Sequence, residues 1–253
     1  MVPAAVDIFS DNPDWQVFAA AGGVTLFVGV SLSLTSRTGG AKLSVRQAFI
    51  LTTLSWVVLT IFASLPFAFS QLELSFTDAF FEAMSGITTT GATVIVNLDT
   101  APPGLLLWRS LLQWLGGIGI IVMALAVLPL LRVGGMQLFH MESSDQSDKA
   151  LPRTAQIAAA IVVIYLALTV IWSGALWLAG LSGFDAIAHA MTTIATGGFS
   201  THDASLSYYD SAVVEAITTV GMILGSLPFL LYLLALQGRV GALFKDSQVQ
   251  WFF

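Results

Sequence analysis

Residues 76–87 read FTDAFFEAMSGI, and residues 88–93 continue as TTTGAT. The first stretch has room for about three helical turns, which are too few to cross a hydrocarbon core. The second stretch is rich in threonine and glycine and poor in helix formers. Because both lie between two long apolar segments, they predict a re-entrant half-helix followed by an extended return to the same side of a membrane.

A second copy of this pattern lies further along the chain, where residues 184–194 read FDAIAHAMTTI and residues 195–201 read ATGGFST. The chain therefore contains a span, a half-helix, a loop and a span twice. Each repeat holds two full crossings, so both copies have the same orientation. This parallel arrangement favours a pore on an axis along the membrane normal over a rocking carrier. A shift of 107 residues pairs Asp78 with Asp185, Ala79 with Ala186, Ala83 with Ala190, Met84 with Met191, Ile87 with Ile194, Thr89 with Thr196 and Gly91 with Gly198.

The composition is that of a polytopic α-helical membrane protein. Of the 253 residues, 56% are hydrophobic and 9% are charged, whereas a soluble domain carries about 25% charged residues. Apolar segments of sufficient length are predicted to span the membrane as helices, because a helix satisfies its own backbone groups in lipid. The five predicted spans cover about residues 15–34, 45–69, 104–131, 155–181 and 211–236.

The basic residues indicate the orientation of these spans. Eight of the nine Lys and Arg residues fall in segments 36–46, 132–153 and 237–247, and Arg109 is the exception. By the positive-inside rule these segments face the cytoplasm. The N-terminus is then predicted to lie outside and the C-terminus in the cytoplasm.

Composition also disfavours two other classes of function. Nine Lys and Arg residues against fifteen Asp and Glu residues leave no basic stripe for nucleic acid. A membrane enzyme is disfavoured because the chain has no cysteine and no HExxH or GxSxG motif. Its three histidines, His140, His189 and His202, are too scattered to form one metal site.

The two Thr/Gly-rich loops carry the predicted chemistry. Glycine permits backbone angles that aim successive carbonyls at one point, and such carbonyls can replace the water shell of a dehydrated monovalent cation. The partly negative C-terminal end of each half-helix would also stabilise a cation at the membrane centre. The predicted filter residues, whose backbone carbonyls would bind the ion, are Thr88, Thr89, Thr90, Gly91, Ala92, Ala195, Thr196, Gly197, Gly198 and Phe199.

Charged residues near the two loops are predicted to support the filter. Asp78 and Asp185 fall near the beginnings of the half-helices, where a carboxylate makes a good cap. Arg109 is the only basic residue outside the three predicted cytoplasmic segments, and we expect it to pair with Glu82 or Asp78 and so hold the first half-helix in place.

Polar residues of the second repeat are predicted to act in the same way. His189 occupies the position that Glu82 has in the first repeat, so we expect each to make a hydrogen bond behind its filter loop. His202 and Asp203 follow the second loop on the outer side. Two roles are open for them, bracing the exit of the filter or shaping the approach of the cation, and we favour bracing.

Four stretches of the chain resemble a known family. Residues 80–93 (FFEAMSGITTTGAT) resemble the first selectivity-filter segment of the Trk/Ktr/HKT superfamily of potassium uptake proteins, most closely its bacterial TrkH-type members. Residues 112–121 (LQWLGGIGII), 134–138 (GGMQL) and 197–205 (GGFSTHDAS) are similar to the same members. The resemblance covers nearly the whole chain.

The resemblance implies a pore of four helix–pore-helix–helix units around one axis, preceded by an accessory helix pair. In this family glycine at the filter position goes with potassium selectivity and serine with sodium permeation. Gly91 and Gly198 therefore imply that the transported ion is potassium, and no cofactor is implied. A place in the bacterial inner (plasma) membrane and a cytosolic nucleotide-binding regulatory ring as partner are also implied.

That regulatory ring would meet the cytoplasmic segment 132–153. Basic residues Arg132, Lys149 and Arg153 stand there among acidic ones, which makes the segment a candidate contact. A solvated connecting loop is the alternative, and the residues do not decide between the two.

The chain accounts for only two of the four units that the resemblance implies, and for only the second accessory helix. Either the missing pore units come from a second chain, or this chain is part of a longer one and does not conduct by itself. The end at Trp251-Phe252-Phe253 reads like the start of another span, which favours the second alternative. A sodium-permeable relative and a carrier are less favoured alternatives.

The predicted fold is an all-α polytopic membrane protein with two parallel helix–pore-helix–helix repeats of a potassium-channel-like pore, plus one extra N-terminal helix. The N-terminal tail and accessory helix would occupy residues 1–44, and the two repeats residues 45–131 and 153–236. A cytoplasmic loop at 132–152 would join the repeats, and a cytoplasmic segment at 237–253 would follow the second.

Overall fold

The computed structural model describes residues 1–36, 44–131 and 150–253, and these residues are almost entirely helical. Two 3-10 turns, Leu98–Thr100 and Ser205–Tyr209, lie in the loops. The helices are α1 (Val2–Phe9), α2 (Trp15–Thr35), α3 (Val45–Phe69), α4 (Phe76–Ile87), α5 (Pro103–Leu131), α6 (Ala150–Leu178), α7 (Gly183–Ile194), α8 (Ala212–Ser226), α9 (Phe229–Leu236), α10 (Gly241–Lys245) and α11 (Ser247–Phe252).

Long apolar helices identify the chain as a polytopic membrane protein. Within the described ranges, four helices are long and apolar enough to cross a bilayer, namely α2, α3, α5 and α6. Many of their large apolar side chains point outward: Leu26 and Phe27 of α2 are 67% and 74% exposed. Such a surface suits a lipid environment, and α2 to α6 begin and end within a few residues of the predicted bounds except at the start of α6.

The last predicted span is not one straight helix. It divides into α8 and α9, whose axes meet at 88°. Pro228 is the physical reason, because proline has no backbone N–H and forces the residue before it out of the helical region. Leu227 accordingly has φ −73° and ψ 146°. The two helices count together as a fifth, bent span or as a re-entrant element.

The described chain forms two compact units. The first comprises residues 1–116 and 197–210, and the second residues 117–196 and 211–253. In the first unit α1 packs on α2, α2 on α3, and α3 on the short helix α4. Its core includes Phe67, Ala79, Ala83, Leu105 and Leu112.

The second unit is built on the same principle. The long helix α6 packs on the short helix α7, on α8 and on α9, and α7 also packs on α8. Its core includes Tyr165, Leu176, Ala190, Ile194 and Val214. Each unit therefore holds one short helix against the long helix that precedes it in the chain, as the predicted repeat requires.

Candidate cation filter

The two short helices begin with the same cap. Ser75 is the N-cap of α4: its Oγ accepts a hydrogen bond from Asp78 N at 3.1 Å and donates one to Asp78 Oδ2 at 2.7 Å. Ser182 makes the same two bonds with Asp185 in α7, at 3.0 and 2.8 Å. Asp78 and Asp185 were predicted as the caps, but they stand at the third helical position and orient the capping serine. The Ser-x-x-Asp pattern, which occurs at both sites, is the sequence signal that could have identified the serine as the cap.

The loops after the two short helices share one backbone conformation. Thr89 and Thr196 have φ values of 56° and 52°, and Gly91 and Gly198 have φ values of 79° and 83°. These are corresponding positions under the 107-residue shift. A positive φ costs a β-branched residue about 1–3 kcal/mol and persists only where the surroundings impose it. Both loops therefore hold an imposed, non-helical backbone at equivalent places.

The end of α4 holds the first loop through backbone and hydroxyl contacts. Ser85 O accepts a hydrogen bond from Thr90 N at 2.9 Å, and Ser85 Oγ donates to Ala92 O at 2.5 Å. Thr88 Oγ1 donates to Met84 O at 2.7 Å and lies 2.8 Å from Thr90 Oγ1. Ser85 thus holds the loop at two points, Thr90 and Ala92. This buried side chain was not predicted as a supporting residue.

Arg109 forms a buried ion pair with Glu82. Arg109 Nε lies 2.8 Å from Glu82 Oε1, and the side chains are 1% and 0% exposed. Glu82 also accepts hydrogen bonds from Thr93 Oγ1 at 2.9 Å and Val94 N at 3.0 Å. Of the two partners that the sequence left open for Arg109, the structure selects Glu82. The carboxylate thereby ties α4 and the residues after the first loop to α5.

Arg109 also reaches the second loop. Its Nη1 donates to Ser200 O at 2.7 Å, and its guanidinium carbon lies 4.1 Å from the centre of the Phe199 ring. A guanidinium presents several donors in a fixed plane, so one side chain can bind a carboxylate and a carbonyl at once. Arg109 therefore connects α4, α5 and residues 199–200.

Gln113 stands one helical turn after Arg109 and contacts the same loop. Its Nε2 donates to Gly197 O at 2.8 Å, and its Oε1 accepts from Phe199 N at 3.0 Å. The Gln113 side chain is fully buried. Sequence reasoning did not assign it a role. The signal that was available is the i, i+4 spacing, which places two polar side chains on one face of an otherwise apolar helix.

Two glycines of the filter loops are in close contact. A Cβ added to Gly91 would overlap with the carbonyl oxygen of Gly197, and a Cβ added to Gly197 would overlap with the Gln113 amide. Gly91 is therefore required both by its positive φ and by space, whereas Gly197 is required by space alone. The chain passes from the second compact unit to the first between Thr196 and Gly197.

Residues 14–250 match the sequence model of the TrkH family, which is described as cation transport protein. This match covers most of the chain. The chain belongs to the TrkH family.

Named relatives agree with this assignment. The chain is 45% identical to the Trk system potassium uptake protein TrkI of Halomonas elongata, over 98% of this chain and 51% of that protein. It is 41% identical to the Trk system potassium uptake protein TrkH of Escherichia coli K12, over 100% of this chain and 53% of that protein. The chain thus spans about half the length of the curated relatives that it matches.

A solved structure of the family has the same fold. The crystal structure of the potassium transporter TrkH from Vibrio parahaemolyticus aligns with a TM-score of 0.89 and 40% identity, over 99% of this chain and 52% of that one. The agreement includes the order of long and short helices that defines the repeat in this TrkH-family chain.

The residues after the second filter loop of this TrkH-family member contain a further polar cluster. His202 Nδ1 lies 2.5 Å from Asp99 Oδ1, and the imidazole stacks on Tyr208 with ring centres 3.6 Å apart. The hydrogen bond from His202 lowers the pKa of Asp99, and contacts from Asp203 lower it further. The structure therefore brings His202 and Asp203 to Asp99, which the sequence analysis did not single out.

His189 is placed differently from Glu82. It is 3% exposed, and its Nδ1 lies 2.9 Å from Asp185 O, one turn earlier in α7. In the second compact unit, Gly221 of α8 leaves room for Thr193 and Gly225 leaves room for Ile194. The end of α4 is packed in the same way, since Gly116 of α5 leaves room for Ile87 O. The two short helices therefore differ in that α4 has the additional ion pair at Glu82.

Proposed function

We propose that the chain takes part in potassium uptake across the membrane, through a filter whose cation ligands are backbone carbonyls of residues 88–92 and 195–199. It supplies two repeats of a four-unit pore, and the other two come from a second chain or from the rest of a longer one. The observation that carries this proposal is the shared loop conformation, with positive φ at Thr89 and Gly91 and again at Thr196 and Gly198.

The chemistry follows from the backbone. A carbonyl dipole offers a partial negative charge, so several of them can replace the water that a potassium ion leaves behind. The first loop starts directly after Ile87, where α4 ends, and a helix C-terminus adds a partial negative charge. No carboxylate has to enter the filter, since Glu82 is engaged by Arg109, Thr93 and Val94.

Selectivity in this proposal resides in the two glycines with positive φ, Gly91 and Gly198. A serine at either position would carry a side chain in a backbone conformation that L-residues rarely adopt. At Gly91 it would also press on the Gly197 carbonyl. The geometry of the carbonyls would change, and with it the preference for potassium over sodium.

The ion pair between Arg109 and Glu82 fixes the positions of these loops. Arg109 holds Glu82 beside the first loop and Ser200 at the end of the second. Five further residues complete the supporting set: Asp78 and Asp185 at the helix caps, His189 in the packed helix α7, and His202 and Asp203 in the polar cluster with Asp99. Each acts on the filter through the backbone that it positions.

The proposed setting is the bacterial inner membrane, with the N-terminus outside and the C-terminus in the cytoplasm. A cytosolic nucleotide-binding ring is the proposed regulatory partner, and segment 132–153 is its proposed contact. Residues 132–149 of that segment lie outside the described residues. The relatives' names place them in a Trk system.

The experiment is rubidium uptake and growth at low potassium, in bacteria that lack their own potassium uptake systems. One strain expresses this chain alone. A second expresses it joined to the part of Vibrio parahaemolyticus TrkH that the chain does not cover. We expect uptake in the joined form, and a gain of sodium permeation in its Gly91→Ser variant. Uptake by the chain alone would show that two copies complete a ring.

A joined protein that inserts into the membrane but takes up no rubidium would contradict the proposal. Equal uptake and equal ion preference in the wild-type and Gly91→Ser proteins would contradict the role of the loop. The matched control is Gly174→Ser, because a Cβ on Gly174 of α6 meets no atom within 4 Å.

A further inference from the structure

Gln113 is the one fully buried primary amide among the residues whose side chains the structure describes. It lies in α5, between apolar neighbours. A polar group in such a place is stable only when its hydrogen bonds are made. Both ends of this amide are satisfied by the backbone of the second loop, at Gly197 O and Phe199 N.

The two bonded peptide groups flank Gly198. Gln113 donates to the carbonyl before this residue and accepts from the amide after it, so its side chain matches the loop as another peptide group would. The amide of Asn or Gln resembles a peptide group, because it has an N–H donor and a carbonyl acceptor on one carbon without a charge. The match fixes the backbone around Gly198, where φ is +83°.

The neighbouring glycines show that the Gln113 amide is tightly packed against the second loop. No side chain fits on Gly197, because its Cβ would occupy the place of the Gln113 amide. The carbonyl that Gln113 holds is also the one that excludes a side chain from Gly91, whose added Cβ would lie 3.6 Å from Gln113 Nε2. Gln113 therefore stands beside the filter glycine of the first loop while it binds the second.

We propose that Gln113 is a positioning residue for ion selectivity. Its amide holds the second filter loop at the carbonyl spacing that suits potassium. This inference rests on the proposed potassium-filter function. Gln113 does not touch the ion in this account, and it acts through the backbone of residues 197–199.

The test is hydrogen–deuterium exchange of residues 195–201 in the purified joined protein described above, in potassium and in sodium buffer. Wild type is expected to exchange more slowly in potassium. Gln113→Met keeps the length of the side chain and removes both hydrogen bonds. We expect this variant to exchange faster in both buffers and to lose the difference between the two ions. Ser110→Ala is the matched control, since Ser110 is also buried in α5 but bonds to Leu106 O of its own helix.

Transport gives the second measurement, in the joined protein described above. The ratio of potassium to sodium uptake is expected to fall by about threefold to tenfold in Gln113→Met, a change equivalent to the free energy of about one ordinary hydrogen bond. Ser110→Ala should keep the wild-type ratio. If Gln113→Met does not accumulate, Gln113→Leu also removes both hydrogen bonds, and it should lower the ratio in the same direction.

The outcomes separate the two proposals. Unchanged exchange or an unchanged uptake ratio in the Gln113 variants would overturn the role of Gln113 while potassium uptake stands. In another outcome, the wild type takes up no ion but still exchanges more slowly in potassium, and Gln113→Met loses this difference in exchange. That result would overturn the uptake proposal and support the positioning role. If the wild-type joined protein exchanges equally in both ions, the positioning role is overturned as well.

Discussion

Arg109 and Glu82 carry opposite charges in a place that water does not reach. Their side chains are 1% and 0% exposed, and their closest atoms are 2.8 Å apart. When one member of such a pair is removed, the other charge stays buried without a partner, at a cost of about 3–5 kcal/mol. Arg109 also holds the Ser200 carbonyl, so its loss would release the end of the second loop.

We expect Arg109→Gln and Glu82→Gln each to lower the free energy of unfolding by about 3 kcal/mol. The double variant should lose less than the sum, because no unpaired charge remains in it. Unfolding of the purified protein in detergent measures this cycle. Lys245→Gln, at an exposed cation of α10, is the control and should have little effect. Additive losses would show that the two side chains do not act as a pair.

Gly91 and Gly198 offer a matched comparison within the filter. Both have a positive φ, but a Cβ on Gly91 meets the Gly197 carbonyl whereas a Cβ on Gly198 meets no atom within 4 Å. Gly198→Ala should therefore cost only the backbone strain, about 1–2 kcal/mol. Gly91→Ala should cost more, because the Gly197 backbone must move. Equal losses in unfolding free energy would contradict the contact between the loops.

Helix α1 is attached to α5 by one buried carboxylate. Asp7 Oδ1 accepts a hydrogen bond from Gly104 N at 2.7 Å, in the first turn of α5, while Asp7 Oδ2 has no partner among the described residues. Burial raises the pKa of Asp7 above its ordinary value. The folded protein then holds this proton more tightly than the unfolded chain, so stability falls as pH rises through the pKa of the folded state.

We expect Asp7→Asn to keep the oxygen that caps α5 and to remove the buried charge. Its unfolding temperature near neutral pH should equal or exceed that of wild type, and should vary less as pH rises from about 4 to about 7. Asp11→Asn, at an exposed neighbour, is the control. A clear loss of stability in Asp7→Asn near neutral pH would show that the charge itself stabilises the start of α5.

Long helices were predictable from hydropathy, and contacts distant in sequence were not. α3 begins and ends at the predicted residues 45 and 69, because a lipid-facing helix must be apolar along its whole length. The break at Pro228 was missed because the apolar pattern continues across it. Gln113 was missed for another reason: its partners lie 84 and 86 residues away, and no local pattern reports that distance.

At the scale of the whole molecule, each compact unit holds a short helix against the long helix before it, and each short helix leads into a loop of the same backbone conformation. Outward-facing apolar side chains on α2, α3 and α6 suit a bilayer. The chain spans about half the length of the curated relatives that it matches. We propose that these two loops select potassium when the ring around them is complete.

The most direct test is ion flux into liposomes that contain only the purified joined protein, driven by an inside-negative potential. We expect potassium influx to exceed sodium influx by at least about tenfold, a difference of about 1.4 kcal/mol, and Gly91→Ser to reduce that ratio. Equal influx of the two ions into liposomes, through a protein that is folded and inserted, would contradict a potassium-selecting filter in this chain.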